Sequence, residues 1–315
     1  MEETKIICLM PVKNEAAILP TTLGIISEYA DVIIIADQMS DDGSREVYKN
    51  FPKVRVIDNN RTGHSNEVRW DLLRAAREHG KNNLIICLDA DEYIPSNIFK
   101  NFLSMAKLEV GQSFRFPWIQ LWKSKYEYND TGVWYRNYQR AAWVDDGETE
   151  YKNKFVINDH TSRVPERFLN NCIRVDNVPI MHLQWVFWEK TQMKQAWYRC
   201  SELVKSPESW KIINDSYSHS LEVSKKLKNT PKEWLEDLEE KDLVQKQSDW
   251  HKNEIIKMFE QYGVTFFEKL QIWHVPELEA EFIKRTNRKP EYNKNKTLSK
   301  RIQNIKRSII KTIRY

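Results

Sequence analysis

Long apolar runs are missing from this 315-residue chain: stretches such as Val32-Ile33-Ile34-Ile35-Ala36 fall far short of the roughly 20 residues a membrane-spanning helix needs. Paired thiols are missing too. Cys8, Cys87, Cys172 and Cys200 show no C-x-x-C spacing, and Cys8 and Cys87 fall in predicted core strands, where a reduced thiol behaves as a small apolar residue. No repeat, no glycine-rich linker and no RNA or DNA motif is present, so nucleic acid is not an expected partner. The acidic start Met1-Glu2-Glu3-Thr4-Lys5 runs straight into a strand pattern, which reads as the absence of a secretory signal. A reducing cytoplasm is the expected compartment. What remains, 30% charged and 41% hydrophobic residues, is the composition of a globular chain long enough to bury a substantial core.

Charge is unevenly placed. Residues 284–315 hold 12 Lys/Arg and one acidic residue, Glu291, a net of +11 against +4 for the whole chain, so residues 1–283 carry −7. Within that stretch Leu298, Ile302, Ile305, Ile309 and Ile313 recur at helical spacing among Lys300, Arg301, Lys306, Arg307, Lys311 and Arg314. This is the pattern of a basic amphipathic helix, suited to an anionic membrane over residues 296–315 or, equally, to docking on its own domain or a second subunit. The oligomeric state is not legible.

Strand and helix patterns alternate over the first hundred residues. Strands are predicted at 5–11, 31–37, 53–58 and 83–88, rich in Ile and Val without polar alternation, as parallel strands covered on both faces should be. Helices are predicted at 18–29, 42–50, 66–79 with Ser65 as N-cap, and 97–106 with Ser96 as N-cap. Repeated βα units imply right-handed crossovers and a doubly wound α/β sheet. Ligands in such sheets sit outside the carboxyl ends of the strands. Each of those ends carries a polar cluster: Pro11-Val12-Lys13-Asn14-Glu15, Asp37 to Ser44, Asp58-Asn59-Asn60-Arg61, and Asp89-Ala90-Asp91-Glu92. Turn chemistry alone accounts equally well for Asp58 to Arg61. The aspartate pair is different. Residues i and i+2 of an extended segment project to one side, so Asp89 and Asp91 can aim both carboxylates at one hard cation. A cation held by one or two carboxylates keeps open positions for phosphate oxygens, which suits chemistry in which a diphosphate leaves.

Pro11-Val12-Lys13-Asn14-Glu15, Ala36-Asp37-Gln38-Met39-Ser40-Asp41-Asp42-Gly43-Ser44, Arg69 and Leu88-Asp89-Ala90-Asp91-Glu92, in that order and spacing, resemble the family 2 glycosyltransferases of the GT-A fold. The resemblance covers about the first 95 residues. It implies a Rossmann-like, mostly parallel sheet with helices on both faces. The implied activity is inverting transfer of one sugar from a nucleotide sugar, most often a UDP-sugar, to a hydroxyl of a glycan or lipid-linked glycan. Such work belongs to cell-surface polysaccharide synthesis at the inner face of the membrane, with Mn²⁺ or Mg²⁺ as cofactor. By the same resemblance Pro11, Val12, Asn14 and Glu15 line the nucleotide pocket, and Asp37 hydrogen-bonds the base, although its usual acidic neighbour is Gln38 here. Arg69 approaches the diphosphate or the base, with Trp70 where the family usually has Asn. Asp89 and Ala90 flank the ribose, Asp89 or its bound water reaches the metal, and Asp91 ligates it directly. His182 is the candidate third ligand, since imidazole can complete a carboxylate site; a satisfied core histidine is its competing interpretation.

The general base is sought among Asp145, Asp146, Glu148, Glu150, Asp159, Glu166 and His160. Asp159-His160 before Val164-Pro165 resembles, in reversed order, the family's His-Glu element, and Glu148 is the further candidate. Strands are also predicted at 114–118, 134–143 and 178–186. Trp118, Trp122, Trp134, Trp143, Trp185 and Trp188 crowd this half, where flat indoles could stack on a sugar of the acceptor. The expected organisation is a catalytic domain at 1–188 (nucleotide half 1–95, acceptor half 96–188), a helical extension at 189–283 with breaks at Pro231 and Gly263, and the basic tail at 284–315. Without membrane spans or a Q-x-x-R-W element, which Gln139-Arg140-Ala141-Ala142-Trp143 only approximates, processive polymerisation is not expected. Two other functions stay open. A nucleotidyltransferase of similar sheet is disfavoured because Pro11–Glu15 has no glycine and only Lys13 as a base; a non-catalytic carbohydrate-binding protein of the same fold is the other.

Overall fold

The computed structural model describes residues 4–61, 67–151, 162–221, 226–239, 243 and 249–291. The chain divides into two compact units, residues 1–188 with 224–248, and residues 189–223 with 249–315.

The first unit is built on a sheet whose strand order is β11-β7-β6-β8-β4-β1-β2-β3. Its parallel half comprises β1 (Ile6–Val12), β2 (Val32–Asp37), β3 (Val54–Asp58) and β4 (Leu84–Cys87), within a residue or two of the sequence expectation. Alternate residues of these strands face opposite layers. Cys8, Met10, Ile33, Ile35, Leu84 and Ile86 pack against Leu19, Leu23 and Ile26 of α1 (Leu19–Ser27) and Tyr48 of α2 (Ser44–Tyr48). Ile7, Leu9, Ile34, Ala36, Ile85 and Cys87 pack against Val68, Leu72, Leu73 and Ala76 of α3 (Val68–Arg77). A strand buried on both sides is why these segments read as continuous apolar runs. The chain moves outward from β1 to β2 to β3, then returns to place β4 on the other side of β1. Right-handed crossovers therefore put α1 and α2 on one face and α3 on the other, and open a crevice at the carboxyl ends of β1 and β4.

The remaining strands make a mixed half. β6 (Ser113–Leu121) and β8 (Tyr138–Val144) run antiparallel to each other, and β8 runs antiparallel to β4. β7 (Glu127–Asn129) extends the edge, β9 (Cys172–Arg174) lies parallel to β6, and β10 (Ile180–His182) lies between β6, parallel, and the two-residue β5 (Glu92–Tyr93), antiparallel. The segment around 134 forms a short 3-10 turn at Gly132–Trp134 instead of the start of a strand. Met181 and Leu183 join the core under α1, whereas His182 alternates to the other side.

Two expectations need correction here. Residues 226–239 were expected inside the helical extension; they return to the first unit instead, where β11 (Leu227–Asn229) pairs with β7 and Trp234 and Leu238 enter an apolar cluster with Tyr128, Leu121 and Met181. Ser96 does not cap its helix. It is the first residue of α4 (Ser96–Met105), and its backbone N and Oγ donate to the two carboxylate oxygens of Asp237 at 2.6 and 2.7 Å, so the cap is supplied by the returning segment. Ser65 lies outside the described residues.

The second unit is helical: α5 (Trp188–Lys205, from its second residue), α6 (Trp210–Ser216), α7 (Trp250–Tyr262) and α8 (Pro276–Thr286) close over Cys200, Ile213, Phe259, Phe267, Trp273 and Phe282. Gly263, at φ 79°, ends α7. Buried Arg199 donates to the carbonyls of Gln195, within α5, and of Tyr217, at the end of α6, and to Ser220 Oγ. Among the described residues no helix is long and apolar enough to cross a membrane. The tail pattern at 296–315 lies outside them.

Candidate active site

The crevice is lined from two sides. After β1, Asn14 adopts a left-handed conformation (φ 55°), and the turn Lys13–Ala16 locks onto the β2 loop. Asn14 N donates to Ser40 Oγ, Glu15 N to Ser44 Oγ and Ala16 N to Asp42 Oδ2, at 2.9–3.0 Å. Lys13 Nζ donates to Met39 O, and Asp41 N to Asn14 Oδ1. This explains the Asn, Ser and Asp content of both loops: each satisfies the other's backbone where the strands end. Pro11, Val12, Asn14 and Glu15 thus stand together at the end of β1.

Asp37, expected to meet a base, is fully buried. Its Oδ1 accepts from Arg45 Nε and Ser40 N, and its Oδ2 from Tyr48 Oη, at 2.8–3.0 Å. Burial opposes its charge, but these donors win and hold the carboxyl below the usual carboxylate range. In this arrangement the carboxylate shapes the β2 loop. Asp58 to Arg61 divide likewise: Asp58 pairs with Arg45, and Arg61 with Glu67 and Asp71.

On the other side, β4 ends at Cys87, and Leu88 to Asp91 form a turn in which Glu92 N donates to Asp89 O at 3.0 Å. The i, i+2 projection of an extended strand therefore does not apply. Asp89 and Asp91 part company. Asp89, 41% exposed, receives Arg163 Nη2 at 2.6 Å and lies 4.0 Å from Arg69 Nη2. Burial raises its pKa, yet Arg163 and then Arg69 outweigh that and keep it below the usual range. Asp91 Oδ2 stands 3.5 Å from His182 Nε2, and its backbone oxygen accepts from Leu183 N. His182 is buried; its Nδ1 meets Gln120 Oε1 at 2.7 Å, and its ring stacks on Trp118 at 5.1 Å and 16°. Ala90 is buried, with its carbonyl accepting from Thr22 Oγ1.

Beneath the turn lies a charged pair that the sequence reading missed. Glu92 is fully buried, and its carboxylate accepts from Arg163 Nη1 at 2.5 Å and Nη2 at 3.0 Å, from Trp118 Nε1 at 2.7 Å and from Asp89 N at 3.0 Å. Burial lowers the Arg163 pKa, but Asp89 and Glu92 raise it further than that. A signal existed: a glutamate in a buried two-residue strand requires a cation. Nothing local says which one, because Arg163 is 71 residues away.

Among the described residues no group of three or more His, Cys, Asp or Glu could hold an ion. Asp89 pairs with Arg163 and faces Arg69, whereas Asp91 and His182 approach each other. A carboxylate and an imidazole still fit a divalent ion whose other positions go to phosphate oxygens. Arg69 Nη1 is buried with no hydrogen-bond partner, a donor suited to an anion beside that pair.

Glu148 is corrected outright as a base. β8 pairs Val144 with Leu84 at the amino end of β4, so the segment after it leaves the sheet at the opposite rim, roughly 16 Å from Asp89 at about 3.3 Å per strand residue. There Arg77 clamps it, through Asp145 at 2.8 and 2.9 Å, Glu150 at 2.9 Å and the Thr149 carbonyl at 2.6 Å. Asp159 and His160 lie outside the described residues. Of the tryptophans, Trp118, Trp122, Trp134, Trp185 and Trp188 form one connected cluster beside His182, with Trp118, Trp134 and Trp188 partly open. Trp143 is buried against Phe168 and belongs to the core.

Residues 7–112 match the family model described as Glycosyl transferase family 2. No curated protein matches the chain. Among solved structures, 4-diphosphocytidyl-2C-methyl-D-erythritol synthase is similar at 21% identity over 36% of this chain and 60% of that one, with a TM-score of 0.30. Glucosyl-3-phosphoglycerate synthase from Mycobacterium tuberculosis, in complex with Mn²⁺, UDP and glucosyl-3-phosphoglycerate, is similar at 17% over 37% and 44%, TM-score 0.27. S. aureus TarS is similar at 12% over 70% and 44%, TM-score 0.35. The chain spans 60% or less of the length of each of these three.

Proposed function

We propose that this protein, whose residues 7–112 match the glycosyl transferase family 2 model, is a glycosyltransferase that moves one sugar from a nucleotide sugar, a UDP-sugar, to a hydroxyl of a glycan or lipid-linked glycan, with inversion. The observation that carries this reading is the convergence of Asp91 Oδ2 and His182 Nε2, 3.5 Å apart, at the carboxyl ends of β1 and β4.

The acceptor oxygen attacks the anomeric carbon, the bond from that carbon to the diphosphate oxygen breaks, and the acceptor proton passes to a base. The base is proposed in Asp159-His160; the described chain resumes two residues after His160 and brings Arg163 directly to Asp89. Asp91 and His182 would hold Mn²⁺ or Mg²⁺, which supplies Lewis-acid stabilisation of the departing diphosphate. Arg69, with its unpartnered Nη1, adds positive charge for the same oxygens. Asp89, oriented by Arg163, is placed for the ribose. Pro11, Val12, Asn14 and Glu15 form the nucleotide wall, with Asp37 bracing the loop behind it. The partly open faces of Trp118, Trp134 and Trp188 suit the apolar face of an acceptor sugar. The basic stretch at 296–315 suits an anionic membrane carrying a lipid-linked acceptor on its cytoplasmic side.

Calorimetry with UDP should show tighter binding with Mn²⁺ than without it. Asp91→Ala should abolish transfer while the circular dichroism spectrum is unchanged; transfer at the normal rate by Asp91→Ala overturns the reading.

A further inference from the structure

His182 Nε2 and Asp91 Oδ2 are separated by 3.5 Å, which is long for an N–H···O hydrogen bond, normally 2.7–3.2 Å. Two adjacent ligands of one cation stand about 3.0–3.4 Å apart when their bonds are about 2.1–2.2 Å, so the pair needs to close by only a few tenths of an ångström to reach ligand spacing. For that, Nε2 must carry its lone pair, and the ring proton must sit on Nδ1. What faces Nδ1 decides it. Gln120 Oε1 lies 2.7 Å from Nδ1 and can only accept. Gln120 and His182 are register partners on the parallel strands β6 and β10, so their side chains rise from the same face of the sheet. Gln120 is fully buried, and its Nε2 has no hydrogen-bond partner. An unsatisfied buried amide nitrogen is a standing cost, carried where the carbonyl end of the same side chain has a task.

Two described groups beside the imidazole are committed elsewhere. One ring face lies on Trp118, whose own Nε1 is committed to Glu92. The residue opposite His182 on β5 is Glu92, whose carboxylate is filled by Arg163, Trp118 and Asp89 N.

We propose that Gln120 is a positioning residue which locks His182 in its Nδ1–H tautomer, so that a lone pair faces Asp91 and the two side chains form a cation site instead of a hydrogen-bonded pair. The proposal rests on the glycosyltransferase reading for the use of that site, though not for the tautomer itself. Groups of this kind behind a metal-binding histidine typically change metal affinity by 10–100-fold when removed.

Two measurements test it. In the metal-free protein, long-range ¹H–¹⁵N spectra at a pH where the ring is neutral should show His182, assigned with His182→Asn, protonated on Nδ1. Gln120→Glu, which still presents an oxygen, should keep that tautomer. Gln120→Leu should shift it toward Nε2–H, and Gln120→Asn, too short to reach Nδ1, carries the same expectation should the leucine variant not fold. In the second, Mn²⁺ is titrated into the full chain with UDP and followed by its electron paramagnetic resonance signal. Gln120→Leu should weaken Mn²⁺ binding 10–100-fold, and Gln120→Glu should bind within about threefold of the unaltered protein. Unchanged Mn²⁺ affinity in Gln120→Leu, or an Nδ1–H tautomer that survives it, overturns the proposal. If the unaltered protein takes up no Mn²⁺ with UDP, the metal-assisted reading falls, and the spectra alone still decide the role of Gln120.

Discussion

Replacing Arg163 by methionine should expose how the aspartate turn is held. Arg163, 6% exposed, gives Glu92, 0% exposed, two hydrogen bonds and its countercharge, and it gives Asp89 a third bond. Methionine fills similar space but leaves Glu92 as a buried anion with only Trp118 Nε1 and Asp89 N as donors. Removing one partner of a buried ion pair costs about 3–5 kcal/mol. In a unit of about 200 residues that is a fall in Tm of roughly 6–20 °C. The second arm is Glu92→Gln, which keeps an acceptor for one of the remaining donors and removes the charge. Added to Arg163→Met it should restore stability, because the stranded anion is what costs most, so the double variant should be more stable than Arg163→Met alone. Equilibrium urea unfolding followed by tryptophan fluorescence reads all four proteins of the cycle. If the double variant loses the sum of the two single losses, or if Arg163→Met costs less than about 1 kcal/mol, Arg163 and Glu92 are not the coupled pair described here.

Two further outcomes follow from the same geometry. Glu148→Gln should leave kcat and KM within about twofold, since the residue stands at the far rim; a hundredfold fall in kcat would return it to the site. In the second unit, burial and then Lys194 and Lys190 push the His251 pKa down to about 3 from 6.5. The unfolded chain therefore binds a proton below about pH 6.5 that the folded chain refuses until about pH 3. Stability should fall as pH drops through that window, by up to about 1.4 kcal/mol per pH unit, and His251→Phe should flatten the slope in urea unfolding at pH 7 and pH 5.

The parallel half of the sheet was legible because its signal is local. Ile6 to Val12, Val32 to Asp37 and Leu84 to Cys87 are apolar runs closed by Asn, Asp, Gly and Ser, and neither burial on both faces nor turn chemistry needs knowledge of distant residues. The mixed half was less legible. β5, β7, β9, β10 and β11 have two or three residues each, too short for any periodicity, and they exist because neighbours offer them an edge. Residues 226–239 show the same limit: Glu, Lys, Leu and Trp spacing reads as helix, and pairing with β7 and the Asp237 cap on α4 overrule it.

For the site, the aspartate pair was singled out from residue type and position at a strand end, and Arg69 and His182 from the family resemblance. Their division of labour was not, because it depends on partners far along the chain. A turn at 89–92 separates two side chains that an extended strand would align; Arg163 claims one and His182 the other. Glu148 was misplaced for the converse reason, since only the antiparallel register of β8 on β4 reveals which rim it occupies. The sequence by itself determined an α/β sheet with acidic and amide groups gathered at its carboxyl edge, since hydrophobic period and turn chemistry are written residue by residue. Which of those groups face one another was decided by tertiary structure alone, since a buried charge selects its partner by proximity in the fold.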